Sequence, residues 1–131
     1  MPIKYIEAPD VKKRVEEITE SLDFAHVLPQ FVSCARSEGS KSRRTVARIH
    51  GLGKIWQKIL NFPPSYIIEV ISERYDKLTE EEKEKTLIHE LLHIPAGFSG
   101  GFRPHKGYVN RRIVDQLYKK LQENRAAKNK L

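Results

Sequence analysis

Two segments, one near each end of the chain, carry an apolar residue at every third or fourth position among charged residues. These apolar residues are Val11, Val15, Ile18 and Leu22 near the start, and Val109, Ile113, Leu117 and Leu121 near the end. Since an α-helix has about 3.6 residues per turn, each set forms one apolar stripe. The pattern predicts two helices that pack by these stripes on a shared core.

Shorter segments between these helices have the composition of strands. Residues 31–36 and 44–50 are partly β-branched or aromatic, and residues 37–42 between them are small or polar, as is typical of a loop. These features predict a hairpin with a mobile, basic tip. Residues 66–71 are apolar except for Glu69 and form the clearest strand in the sequence.

A short segment after the predicted hairpin has helical periodicity. Its apolar residues are Leu52, Ile55, Trp56, Ile59 and Leu60. Glycines precede the segment and two prolines follow it, so the helix would be short. We expect Trp56 to be a core residue.

A fourth helix is indicated by its cap and by its end. Thr79, followed three residues later by Glu82, is typical of a capping box. Pro95 and Gly97 would end this helix after about four turns. Its last turns contain the sequence from His89 to His93, which reads HELLH.

The two histidines of this sequence are spaced to bind one metal ion. Residues four apart on a helix have Cβ atoms about 5–6 Å apart, so both imidazoles can reach an ion with Zn–N bonds of about 2 Å. His89 and His93 are therefore candidate ligands. Glu90 lies roughly 100° around the helix from His89, where it can take a proton from water at the ion as a general base.

A catalytic zinc site has three protein ligands and one position for water. We expect His105 as the third ligand, because imidazole suits zinc and the Gly- and Pro-rich residues 94–104 can lead the chain back to the helix. The carboxylates of Asp115 and Glu123 are the alternatives. Three imidazoles favour Zn²⁺ over other divalent ions, and we expect a single ion.

Residues 98–102, which read FSGGF, form the loop expected over the metal. Its adjacent glycines permit unusual backbone angles or movement, and its two phenylalanines are expected in the core. Arg103 and Tyr108 flank His105. Both are candidates for stabilising an oxyanion, because hydrogen-bond donors aimed at developing charge stabilise a transition state.

The segment Thr86 to His105, reading TLIHELLHIPAGFSGGFRPH, resembles the metal-binding core of the SprT-like zinc metallopeptidases. It resembles more closely still the small predicted metallopeptidases of archaea and phages. These families share an H-E-x-x-H helix, an irregular loop and a third histidine at the start of the next helix. The resemblance implies zinc on His89, His93 and His105, with Glu90 as catalytic acid and base.

The resemblance also implies how a substrate is held. In zinc peptidases of this build, a strand beside the metal helix commonly pairs with an extended substrate, so one edge of the sheet is expected to do so here. The larger SprT-like proteins often carry zinc-ribbon or DNA-binding modules. This sequence shows neither, and Cys34 is its single cysteine, so DNA-linked roles are not carried over.

The order of elements predicts an α+β protein with a compact, minimal zincin-like fold. A small β-sheet of about three strands would pack against an N-terminal helix, the HExxH helix and a C-terminal helix. The length suits a single metallopeptidase-like domain over residues 1–131. We expect residues 1–9 and 124–131 to be poorly ordered, with an edge strand as the alternative for residues 1–9.

The charge balance raises the question of nucleic acid. The net charge is +7, and basic residues are concentrated between residues 36 and 58. Arg43, Arg44 and Arg48 are the candidate contacts, because clustered cations can neutralise phosphates. No apolar run has the length of a membrane span, and the N-terminus lacks a signal-peptide pattern, so we expect a cytoplasmic protein without a membrane partner.

These features favour a zinc-dependent metallopeptidase that acts on a protein or peptide substrate. In this hypothesis, Glu90 is the general base for a water molecule activated by the metal. Two alternatives belong to other classes. One is a metal-dependent nuclease or other hydrolase, and the other is a non-catalytic module that zinc stabilises and that binds nucleic acid or protein.

Overall fold

A four-stranded mixed β-sheet forms the centre of the computed structural model, which describes residues 2–130. Its strands are β1 (Lys4–Glu7), β2 (Val32–Glu38), β3 (Ala47–Gly51) and β4 (Tyr66–Ile71). Their spatial order is β1-β2-β4-β3, in which β2 and β4 are parallel and the two outer pairs are antiparallel. The strands β1 and β3 are therefore the two edges.

Five helices accompany the sheet in the described part of the chain, and the predicted α+β class is confirmed. The helices are α1 (Pro9–Ser21), α2 (Lys54–Ile59), α3 (Ser72–Tyr75), α4 (Glu80–Leu92) and α5 (Arg111–Asn129), with a short 3₁₀ turn at Pro29–Phe31. The three long helices contact one another, while α1 also contacts β2 and α4 contacts β3. In residues 2–130, no helix combines the length and the apolar character needed to cross a bilayer.

The core lies between the long helices and one face of the sheet. Alternate residues of β4 point to that face, and among them Ile68 and Val70 are fully buried. The two predicted apolar stripes pack in the same region, since Val11, Val15 and Leu121 are also fully buried. The site-bearing helix α4 thus rests on a packed core through its own buried residues.

The predicted hairpin is wrong. In the described part of the chain, β2 and β3 do not pair with each other, because β4 lies between them. The sheet also has four strands where about three were expected, because β1 pairs with β2 as an additional edge strand. The central position of β4 agrees with its apolar character, because a central strand is covered by a neighbour at each edge. Five of its six residues are buried, while Ile67 is 46% exposed.

The orientation predicted for Trp56 is also wrong. The helix α2 forms where the periodicity placed it, but none of its residues is buried, and the side chain of Trp56 is 58% exposed. Helical spacing shows that apolar residues share a face, but it does not show that a core lies opposite that face. The helix stands instead between the end of β3 and Pro63, with its apolar side chains in solvent.

The two ends of the chain take regular structure where they are described. The strand β1 pairs with β2, in agreement with the edge-strand alternative for residues 1–9. The helix α5 continues to Asn129, through most of the segment 124–131 that was expected to be poorly ordered. Met1 and Leu131 lie outside the described residues.

Candidate metal centre

The helix α4 begins at the predicted capping box, which is confirmed. The Thr79 hydroxyl accepts a hydrogen bond from the Glu82 amide at 3.1 Å, and a Glu82 carboxylate oxygen accepts one from the Thr79 amide at 3.0 Å. The first turn also carries negative charge at the positive end of the helix dipole, on Glu80, Glu81 and Glu82. The helix start is thereby fixed, and His93 follows as the C-cap residue after Leu92.

Three histidine side chains converge at the C-terminal end of this helix. The ring centroids lie 5.1 Å apart for His89 and His93, 5.3 Å for His89 and His105, and 4.6 Å for His93 and His105. One ring nitrogen from each residue lies within 4.8 Å of the other two. Nitrogens around a tetrahedral zinc are about 3.3 Å apart, so small side-chain rotations would bring the three onto one ion.

The His93 ring is held by the loop that carries His105. Its Nδ1 atom lies 2.8 Å from the carbonyl oxygen of Arg103, and the Arg103 amide donates a hydrogen bond to the His93 carbonyl at 2.7 Å. A ring N–H that donates to a carbonyl selects the tautomer and leaves the other nitrogen free for a metal. Neither contact could be read from the sequence, because each joins His93 to a backbone group of the loop ten positions away.

Side chains from α2 and β4 hold the FSGGF loop, which precedes His105 in the chain. The Tyr66 hydroxyl accepts a hydrogen bond from the Gly100 amide and donates one to the Gly101 carbonyl, both at 2.8 Å. The Gln57 side-chain amide donates to the carbonyl of Ser99 at 2.9 Å. Sequence reasoning missed both residues, since nothing local in the sequence shows that these side chains meet the loop.

Two glycines allow the loop to lie directly against the end of β3. Gly100 has a φ of +95°, and a Cβ atom at this position would lie 2.4 Å from the Leu52 carbonyl oxygen. A Cβ atom on Gly51 would lie 2.2 Å from the Gly100 carbonyl oxygen. Neither position can take a larger residue without movement of the backbone. The FSGGF loop therefore packs in close backbone contact with the end of β3, at one edge of the sheet.

The carboxyl group of Glu90 is buried beside this centre. The residue is 7% exposed and lines the same cleft as the three histidines. Burial raises the pKa of Glu90 to about 7. Burial also lowers the pKa of His89 to about 4, with a further contribution from His93 and His105, so this ring is neutral near pH 7 as a metal ligand must be.

The cleft runs between α4 and the edge strand β3. Along β3, alternate residues direct their backbone N–H and C=O groups towards β4. The residues that flank β3 show which ones do so: the Val46 carbonyl accepts a hydrogen bond from the Ile71 amide at 2.8 Å, and the Leu52 amide donates one to the Ser65 carbonyl at 2.9 Å. Even-numbered residues thus face β4. Ala47 and Ile49, which line the cleft, accordingly direct their backbone N–H and C=O groups towards the free edge.

The two candidates for oxyanion stabilisation are neighbours, but they differ in their position relative to the cleft. Arg103 lines the cleft, and its guanidinium carbon lies 5.3 Å from the centroid of the Tyr108 ring. Tyr108 is half-exposed and lies outside the cleft lining.

The two carboxylates considered as alternative third ligands do not lie with the histidines. Asp115 lies 3.0 Å from the Lys85 ammonium, and Glu123 is exposed on α5.

The candidate nucleic-acid contacts are spread along and before β3. Arg43 and Arg44 are exposed, and Arg44 and Arg48 line the cleft. The Arg48 guanidinium lies 3.3 Å from the carboxylate of Glu69, which is buried. Positive charge is therefore present at the cleft, although part of it is balanced by Glu69.

Comparison with known proteins gives one match. The model of the family described as "Putative phage metallopeptidase" matches residues 3–126. A search of curated proteins and a search of solved structures found no match. The matched range includes the three histidines, Glu90 and every helix and strand except the last residues of α5.

Proposed function

We propose that this chain, which belongs to the phage metallopeptidase family, hydrolyses peptide bonds in a protein or peptide substrate with the help of one zinc ion. His89, His93 and His105 would hold the ion, and Glu90 would be the general base. One observation carries the proposal: three imidazoles converge at one end of a cleft that also contains a buried carboxyl group. The SprT-like relationship and the single-domain organisation remain predictions.

The donor set fits zinc. Imidazole nitrogens suit a borderline-soft ion, and the carbonyl that holds His93 Nδ1 is the kind of partner that metal-bound histidines have. Within residues 2–130, the group contains three histidines and no fourth His, Cys, Asp or Glu. Structural zinc sites have four protein ligands, whereas catalytic sites have three and leave a position for water. The composition of the group therefore supports a catalytic site.

When bound by these residues, a zinc ion would supply Lewis acidity to the carbonyl group of the substrate and to the attacking water. The Glu90 carboxylate accepts the proton of that water as its oxygen adds to the carbonyl carbon. Glu90 then delivers this proton to the amide nitrogen, the C–N bond breaks, and the amine leaves. Arg103 is the better placed of the two candidates for stabilising the oxyanion, because it lines the cleft and Tyr108 does not.

The edge strand β3 provides a binding surface for an extended substrate. Backbone groups of Ala47 and Ile49 face the cleft without a strand beside them in the described structure. A peptide that pairs with this edge would lie between β3 and α4, alongside Glu90. Such pairing uses backbone hydrogen bonds, so it holds many sequences while the side-chain contacts select among them.

The arginines of the cleft support a second candidate, a metal-dependent nuclease. Arg44 and Arg48 would contact phosphates of a nucleic acid strand lying in the same cleft. A mixed panel separates the candidates. Zinc-loaded protein is incubated with unfolded proteins, peptides, and single- and double-stranded DNA and RNA, beside a Glu90→Gln preparation with the same zinc content.

The peptidase proposal predicts cleavage of proteins or peptides, with a rate about 10²–10⁴-fold lower in Glu90→Gln. If the zinc-loaded protein cleaves only nucleic acid, the nuclease candidate replaces the peptidase proposal. If zinc-loaded protein cleaves nothing on the panel, or if Glu90→Gln cleaves as fast as the parent, the proposed chemistry is wrong.

A further inference from the structure

The helix α2 and the turn after it expose a continuous run of large apolar side chains. These side chains are Ile55 (71% exposed), Trp56 (58%), Ile59 (73%), Leu60 (47%) and Phe62 (54%). We call them the α2 apolar patch. No residue of α2 is buried, so the helix contributes nothing to the core. Water-soluble domains rarely expose so many large apolar residues together unless the surface contacts a partner.

Positive charge accompanies this patch. Lys54 and Lys58 lie on the same helix, and both are exposed. From Gly39 to Ile68 the chain has six Lys or Arg residues and no Asp or Glu, so no acid within this stretch offsets the two lysines. A partner for this surface must therefore combine an apolar layer with negative charge.

We propose that the α2 apolar patch docks on an anionic lipid surface, with its apolar side chains in the outer part of the bilayer and the two lysines at the lipid phosphates. The arrangement fits this occupant. Tryptophan favours the boundary between acyl chains and headgroups, and lysine can keep its ammonium group in the headgroup layer while its stem lies along apolar surface. A helix that lies on a membrane needs an apolar face and basic residues, but it does not need the length of a span.

A second copy of the chain fits the patch less well. Docking two α2 helices against each other would bring Lys54 and Lys58 of one copy close to the same lysines of the other. Like charges in an apolar interface are costly.

The sequence has no spanning segment, from which we expect no membrane partner. The proposal differs from that expectation because a helix bound at the membrane surface does not cross the bilayer.

The chain contains its own reporter for this interaction, because Trp56 is its single tryptophan. The test mixes the full chain with vesicles of phosphatidylcholine alone, or with vesicles that also contain phosphatidylglycerol. Trp56 emission and co-sedimentation are both recorded. We expect a shift of the emission to shorter wavelength, and sedimentation of the protein, with the anionic vesicles. Neither readout requires a bound metal or peptidase activity, so the result is independent of the proposed function.

Variants of the patch test the assignment. Ile55→Ser with Ile59→Ser retains the reporter, and both sites are more than 70% exposed, so the fold should be unchanged. We expect the vesicle affinity to fall at least tenfold, because the inserted apolar area is lost. Lys54→Ala with Lys58→Ala should lower the affinity for anionic vesicles by about 25-fold, or about fivefold for each lysine.

Matched controls lie elsewhere on the surface. Tyr5→Ser removes a side chain that is 64% exposed on β1, and Lys119→Ala with Lys120→Ala removes two exposed lysines of α5. These changes should reduce the affinity less than twofold. Equal binding of all variants, equal binding to neutral and anionic vesicles, or no binding to either would overturn the proposal. So would a blue shift that appears with rising protein concentration in the absence of vesicles, since it would indicate a second copy as the occupant.

Discussion

His93 and Arg103 are joined by two hydrogen bonds, one from the Arg103 amide to the His93 carbonyl and one between His93 Nδ1 and the Arg103 carbonyl. The pair fixes the end of α4 to the segment that carries His105. The convergence of the three histidines therefore depends on the path of residues 94–104 as well as on the helical spacing of His89 and His93. Changes that move this loop should affect metal binding without touching a ligand.

Gly100→Ala should move the loop. The φ of +95° disfavours an L-residue, and the new Cβ would lie 2.4 Å from the Leu52 carbonyl oxygen. We expect the free energy of unfolding to fall by roughly 1–3 kcal/mol, and the zinc affinity to fall with it. Denaturant unfolding and a competitive zinc titration would measure the two effects.

The neighbouring glycine is the control for this change. Gly101 does not have a positive φ, and a Cβ atom there would meet only the Ser99 hydroxyl, at 3.6 Å. Gly101→Ala should leave stability and zinc affinity close to those of the parent. If Gly100→Ala and Gly101→Ala have the same stability and the same zinc affinity, the loop does not pack closely against β3 as described.

A pH dependence should follow from the buried carboxyl group of Glu90. Burial raises its pKa from 4.5 to about 7, so the folded, metal-free chain favours the protonated form more than the unfolded chain does. The contribution of Glu90 to the free energy of unfolding of the metal-free protein should therefore fall as the pH rises from about 4.5 to about 7, by on the order of 3 kcal/mol. The lowered pKa of His89 gives a contribution that rises with pH between about 4 and 6.5, so the effect of Glu90 is isolated by comparing the parent with Glu90→Gln.

Glu90→Gln lacks this titration. In metal-free protein at about pH 8, we expect the variant to be more stable than the parent, whereas the two should have similar stability near pH 4. Urea unfolding at both pH values, in the presence of a chelator, provides the comparison. A parent that is as stable as the variant at pH 8 would mean that the carboxylate has a compensating partner.

The position of α4 depends on a buried ion pair. Glu84 is 4% exposed, and Arg125 of α5 donates to its carboxylate at 2.8 Å and also to Glu17 of α1 at 2.8 Å. Arg125→Ala would leave the Glu84 carboxylate buried with Arg14 at 3.9 Å as the remaining cation. We expect a loss of roughly 2–3 kcal/mol in thermal or chemical unfolding, near the lower end of the range for broken buried pairs.

Arg111→Ala is the corresponding control on the same helix. The Arg111 side chain is 95% exposed and lies 3.9 Å from Asp115, so its removal should change stability by less than about 0.5 kcal/mol. If Arg125→Ala and Arg111→Ala lower the free energy of unfolding by similar amounts, the buried carboxylate of Glu84 does not depend on Arg125.

Local features of the sequence predicted the local parts of the structure. The Thr79 capping box, the helix of the HELLH sequence and the two apolar stripes depend on residues a few positions apart, where spacing determines geometry. The convergence of His105 with His89 and His93 also agrees with the sequence-based placement, because a short loop limits where the chain can return. Its role as a ligand remains a prediction.

Long-range relationships could not be predicted in the same way. The insertion of β4 between β2 and β3 depends on competition among strands for the central position, to which the loop composition of residues 37–42 gives no guide. The hydrogen bonds that the Tyr66 hydroxyl accepts from the Gly100 amide and donates to the Gly101 carbonyl join a strand and a loop more than thirty positions apart. The exposed orientation of Trp56 likewise depends on the absence of a packing partner among the described elements.

The zinc content of His105→Ala, measured beside the parent and Asp115→Ala, tests the metal centre most directly. All three proteins are loaded with zinc, dialysed against a weak competitor and analysed for bound metal per chain. Three converging imidazoles predict about one zinc per chain in the parent and in Asp115→Ala, and a large loss in His105→Ala. Full retention of zinc by His105→Ala, or its loss from Asp115→Ala alone, would contradict the three-histidine site.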